Sequence, residues 1–188
     1  MLWVGSSNFL DDWFSTQNLA RLAQYGRDKD VKWKPHEDGY WKINVDATTH
    51  YNDHSVGLGI IIRDGLGGVS AAKSIYVKAM YSPIIAKAMA VWQGLLLAFD
   101  HGFIPCLIDS ESLQVVEMIN KGFPPLLDVG PVISMICVLL CVNPGCGISH
   151  ISRNANLVAH SLAKVALSLD SVLLLVGLPN QLNIGDTR

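Results

Sequence analysis

Two aspartates and a lysine carry the chemistry that this chain's residue types allow. Asp46 and Asp109 each follow a short, mostly apolar stretch, Ile43-Asn44-Val45 and Cys106-Leu107-Ile108. Loops at the carboxyl ends of strands are where open α/β sheets build ligand sites, and two carboxylates brought together there can share a divalent metal. Lys87 stands in Ala86-Lys87-Ala88-Met89-Ala90, near the start of an apolar helical pattern. An ammonium among such carboxylates repels a metal and pairs with Asp46 or Asp109 in its place. Each residue also has an ordinary reading. Asp46 can open a turn before Thr48-Thr49, Asp109 can cap a helix, and Lys87 can be a surface lysine with its stem along the helix.

The surrounding pattern predicts the elements that hold these groups. Lys42 to Asp46 alternates, with Ile43 and Val45 on one face and Lys42, Asn44 and Asp46 on the other, so it reads as a half-buried strand ending at Asp46. Gly57 to Arg63 is a second strand, Asp64-Gly65-Leu66-Gly67-Gly68 a hairpin turn, and Val69 to Tyr76 a third strand. Ser82-Pro83 opens a helix carrying Ile84, Ala88, Val91, Leu95 and Ala98 at helical spacing, which His101-Gly102 ends. Pro105 to Ile108 is a short buried strand, and Asp109-Ser110-Glu111-Ser112 opens a second helix. A third helix spans about Val129 to Leu140, a strand Gly147 to Ile151, and a last helix Asn154 to Leu167. The order βββαβααβα predicts a mixed five-stranded sheet, three antiparallel strands followed by alternating helices and strands, flanked by helices.

Residues 1–34 read as an N-terminal extension with a short helix and linker, 35–170 as the domain, and 171–188 as a C-terminal tail whose Val172 to Leu175 run packs on the domain. The 188 residues are half apolar with a mean hydropathy of +0.31, which excludes a disordered chain. A net charge of −2 is not the basic balance of a strong nucleic-acid binder, so any such contact is local. No apolar run reaches the roughly 18 residues of a membrane span, so no membrane association is expected. Met1 to Leu10 lacks the positive flank and apolar core of a secretory signal. Cys106, Cys137, Cys141 and Cys146 show no paired metal spacing and read as reduced thiols of an intracellular protein, nuclear or cytoplasmic. A zinc site from Cys137 and Cys141, one helical turn apart, lacks a second pair.

Four segments in order resemble the type 1 ribonuclease H domain, especially its plant retroelement-derived form. They are Ile43-Asn44-Val45-Asp46-Ala47-Thr48, the run from Gly57 to Asp64, Ile108-Asp109-Ser110 with Leu113, and the run from Arg153 to Ala163. The resemblance spans about Trp41 to Leu169 and implies a ribonuclease H-like fold. It also implies cleavage of the RNA strand of an RNA–DNA hybrid, with carboxylates holding two Mg²⁺ (or Mn²⁺) ions that activate water and stabilise the leaving oxygen. Under it, Asp46 and Asp109 match the first and third acids and the metal ligands. Lys87 stands where the second acid, a Glu, is expected, and His160 where the family often has its fourth acid. Glu111 and Glu117, both assigned to the second helix, are weak substitutes for the missing Glu. Asn44, Thr48, Thr49 and Asn156 become the candidate nucleic-acid contacts, while His150 reads as a strand histidine and Trp92 as packing.

The charge sum bears on activity. Asp46 and Asp109 less Lys87 leave −1, with His160 neutral, against two divalent ions. The expectation is a nucleic-acid-binding member of this family with weak or lost cleavage. Two alternatives stand beside it: a retroelement-derived remnant serving as a protein-interaction or structural module, and an active nuclease with an unusual ligand set. Oligomeric state is not legible.

Overall fold

The computed structural model describes residues 3–4, 39–122 and 128–177. The helix and linker expected before residue 35 lie outside these, apart from Trp3 and Val4, as does the chain after residue 177. The elements are β1 (Trp3–Val4), β2 (Trp41–His50), β3 (Ser55–Arg63), β4 (Val69–Val77), α1 (Pro83–Asp100), β5 (Cys106–Ser110), α2 (Leu113–Lys121), α3 (Gly130–Val142), β6 (Gly147–His150), a 3₁₀ turn (Arg153–Asn156), α4 (Leu157–Leu169) and β7 (Val172–Val176).

They form one mixed sheet in the order β1-β7-β4-β3-β2-β5-β6. β2, β3 and β4 make the expected antiparallel meander, and β5 and β6 extend it in parallel on the β2 side. The expected count of five strands falls short. The Val172 to Leu175 run, assigned to a packing tail, is strand β7, antiparallel to β4, and Trp3–Val4 adds a two-residue strand parallel to β7. A run such as Val-Leu-Leu-Leu has no alternation to announce a strand; the open edge of β4 supplies the hydrogen bonds that make it one.

Each face of the sheet has its own cover. Ile43, Val45, Leu58, Ile60 and Ile62 pack with α1 and α3 in the main core, while Ile61, Ala72, Ala159 and Leu162 form a smaller cluster under α4. Each fully buried Ile contributes about 1.5–3 kcal/mol. β2 is thus covered on both faces and Asn44 and Asp46 are buried, so the half-buried strand of the sequence reading is a central one.

Two helices set the geometry that matters below. Pro83 starts α1 as expected, but Ser82 caps by position alone, with no side-chain hydrogen bond. By length and mean hydropathy, 18 residues and 1.3, α1 could cross a membrane. Its Ala86, Ala88, Val91, Leu95 and Ala98 are instead buried against the sheet, so it is a core helix. On the opposite face α4 lies directly on the backbone of β3. A Cβ at Gly57 or Gly59 would overlap the carbonyl oxygens of Ala163 and Ala159, so only glycine permits this approach.

Candidate functional site

Asp46 pairs across the ladder with Gly59, the residue whose missing side chain lets α4 come close. β2 continues to His50, so Asp46 lies inside the strand rather than at its end, and it is only 2% exposed. A carboxylate buried this deeply must be matched by donors. Lys87 Nζ, on the second turn of α1, lies 2.7 Å from Asp46 Oδ1, and His160 Nδ1, on α4, lies 2.8 Å from Oδ2. The Nε2 of the same ring faces Arg153 Nη2 at 3.5 Å.

The pairing expected of Lys87 goes to Asp46, and the second acid at its ammonium is Glu111, not Asp109. Lys87 Nζ is 2.7 Å from Glu111 Oε1, so a single ammonium bridges two carboxylates. Burial alone would lower the Lys87 pKa, but its ion pairs and hydrogen bonds with Asp46 and Glu111 outweigh that and raise it. The strand register explains the exchange of acids. β2 and β5 pair with Asn44 opposite Asp109 and Val45 opposite Ser110. One further step brings Glu111 abreast of Asp46.

Asp109 belongs to a different environment. It does not cap a helix; it lies within β5, and α2 starts only at Leu113. Ser149 Oγ on β6 donates to its Oδ1 at 2.6 Å. Lys42 Nζ stands 3.0 Å from its Oδ2, an ion pair by distance without hydrogen-bond alignment.

Two expected nucleic-acid contacts are also reassigned. Asn44 and Asn156 are each 1% exposed, out of reach of a phosphate. They form a buried chain in which Arg63 donates to Asn44 Oδ1 (3.0 Å), Asn44 to Asn156 Oδ1 (3.3 Å), and Asn156 to the Val45 carbonyl (2.9 Å). Burial pushes the Arg63 pKa down to about 10. This chain fixes the start of α4 against β2, and with it the position of His160. Thr48 and Thr49 are half-buried further along β2, and the hydroxyl of Thr48 has no hydrogen-bond partner among the described residues. His150 is exposed at the end of edge strand β6, and Trp92 packs against the core.

A divalent ion needs free carboxylate lone pairs. Both oxygens of Asp46 face N–H donors, and those of Asp109 face a hydroxyl and an ammonium. In the Asp46 cluster the buried Glu111 Oε2 lacks a hydrogen-bond partner among the described residues, and Arg153 Nε stands 3.9 Å from it. Among the described residues no group of three or more His, Cys, Asp or Glu is arranged to hold a metal. The residues present do not fit the Mg²⁺ or Mn²⁺ pair that the resemblance implies.

Solved structures share this fold. Ribonuclease H1 from the halophilic archaeon Halobacterium salinarum superposes with a TM-score of 0.62 at 22% identity, covering 69% of this chain and 98% of that one. LC11 ribonuclease H1, isolated from compost and solved with an RNA/DNA hybrid, gives 0.61 at 19% identity over 69% and 98%. The foamy viral protease–reverse transcriptase in complex with double-stranded DNA gives 0.54 at 22% over 66% and 90%. At these identities the likeness establishes the fold. No curated protein matches the chain. The family model described as reverse transcriptase-like matches residues 44–166, a span holding Asp46, Lys87, Glu111 and His160. This ribonuclease H-like chain therefore belongs to the reverse transcriptase-like family.

Proposed function

We propose that this chain is a nucleic-acid-binding domain for RNA–DNA hybrids whose cleavage centre is closed by its own lysine. The observation that carries this reading is Lys87 Nζ at 2.7 Å from both Asp46 Oδ1 and Glu111 Oε1. Asp46 and Glu111 less Lys87 leave −1. Glu111 takes the third-acid role given to Asp109 in the sequence reading. The ammonium neutralises the charge that would draw a divalent ion and occupies the oxygens that would ligate it.

Binding is supported by the fold and by two of its likenesses, one solved with an RNA/DNA hybrid and one with double-stranded DNA. Thr49 and the exposed Arg153 are the groups at this centre that can meet phosphate or a 2′-hydroxyl, whereas the expected contact Thr48 has its hydroxyl buried. Such a ligand implies an intracellular location, nuclear or cytoplasmic.

The test is incubation of a labelled RNA–DNA hybrid with the wild type and with Lys87→Glu, in Mg²⁺ and in Mn²⁺, alongside binding measured against salt. The wild type is expected to bind with an affinity that falls as salt rises, and not to cut. Lys87→Glu is expected to cut. Cleavage by the wild type that Asp46→Asn abolishes overturns the reading. Failure to bind at low salt leaves the retroelement-derived interaction module.

A further inference from the structure

Cys106 and Cys146 take no part in the Asp46 centre, yet they meet. We propose that they form a redox-reactive dithiol site, which a peroxide closes to a disulfide across β5 and β6. Their Sγ atoms lie 3.3 Å apart. β5 and β6 run parallel with Leu107 opposite Gly147, and one step back sets Cys106 abreast of Cys146. Neighbouring strands are about 4.8 Å apart, inside the Cα separation of roughly 4.4–6.8 Å that a disulfide spans. Rotation of the two side chains brings the sulfurs to bonding distance without moving the strands. Cys137 and Cys141 provide a contrast: Cys137 faces the Ile119 carbonyl at 3.9 Å and Cys141 is exposed.

The two thiols are unequal, which orders the chemistry. Cys106 is fully buried, and burial, with its contact to Cys146, holds its thiol well above the usual range. Cys146 is half-buried and meets the oxidant first. Its sulfur attacks hydrogen peroxide, the O–O bond breaks, and a sulfenic acid forms with release of one water. The Cys106 sulfur then attacks the Cys146 sulfur. The S–S bond forms, the S–O bond breaks, and hydroxide leaves with the Cys106 proton as a second water. The two sulfurs give up two electrons and one peroxide is reduced. Contact between the sulfurs supplies the effective concentration that offsets the low acidity of Cys106. The product ties edge strand β6, whose Ser149 holds Asp109, to the sheet interior.

Peroxide treatment of the full chain, followed by alkylation under denaturing conditions, intact mass and peptide mapping, tests this. Four thiols are free in the reduced protein. Oxidation is expected to lower the mass by about 2 Da before alkylation, leave only Cys137 and Cys141 to take an alkyl group, link Cys106 to Cys146, and reverse with dithiothreitol. The melting temperature of the oxidised form is expected to rise by about 5 °C. Cys146→Ala, at a half-buried position that tolerates it, is expected to form no intramolecular link. Full alkylation after peroxide, a link through Cys137 or Cys141, or an intramolecular link surviving in Cys146→Ala each overturns the proposal.

Discussion

Asp46 and Asp109 lie on neighbouring strands, are almost fully buried, and each faces a lysine, yet their surroundings differ. Lys42 pairs with Asp109 beneath a sheet neighbour that also donates through Ser149. Lys87 bridges two acids, its side chain 22% exposed against 13% for Lys42, with His160 and Arg153 closing the rest of the cluster. The first is an ion pair inside the sheet. The second collects acids from β2 and from the loop after β5, and donors from two helices, at a point that solvent reaches. Depth of burial and a nearby cation do not distinguish the two clusters; the number of elements that converge does.

That contrast can be broken by removing each lysine in turn. Lys42→Ala leaves Asp109 buried against a hydroxyl alone, and the loss of one partner from a buried pair costs about 3–5 kcal/mol. Denaturant unfolding is expected to show that loss with and without Mg²⁺. A cost below about 1 kcal/mol would mean that water reaches Asp109, and the distinction fails.

Lys87→Ala is expected to cost less, about 1–3 kcal/mol, because Glu111 is nearer solvent and the equally buried Asp46 keeps His160. Here Mg²⁺ is expected to recover part of the loss, since Asp46 and Glu111 become free to accept it. If the melting temperature of Lys87→Ala ignores Mg²⁺ while that of Lys42→Ala responds, the roles of the two aspartates are reversed.

The smallest effect is in pH. The raised pKa of Lys87 means that the folded state holds this proton more tightly than the unfolded chain, whose value is near 10.5. The resulting stability is complete below about pH 10.5 and is lost as pH rises through the higher folded value. The stability difference between wild type and Lys87→Gln is expected to be flat up to that pH and to shrink above it. A difference that shrinks already at neutral pH would place another group at the origin of the effect.

Much of the fold was legible because it rests on local signals. The alternation at Ile43 to Val45, the Asp64 turn and Ser82-Pro83 each declared their element within a few residues. In the turn, Asp64 Oδ1 accepts from the backbone N–H groups of Leu66 and Gly68, a closure visible in the residue types. β7 was missed because an unbroken apolar run fits a strand or a packed tail equally well.

At the centre, the sequence by itself determined that Asp46 ends up with its back to the apolar face of its strand, and that a lysine lies near the start of a neighbouring helix. The sequence reading chose Asp109 as the other acid beside Asp46 and placed Glu111 in the following helix. The two are separated by two residues, so strand alternation puts both on the same side. The exchange comes from the parallel register of β5 against β2, a long-range pairing that sets Asn44 opposite Asp109 and brings Glu111 level with Asp46. Likewise, polar types made Asn44 and Asn156 look like ligands for nucleic acid, and α4 lying against Gly57 and Gly59 turned them into internal props. Residue type fixes what a side chain can do; which partner it meets depends on register and helix approach, which are properties of the packed sheet.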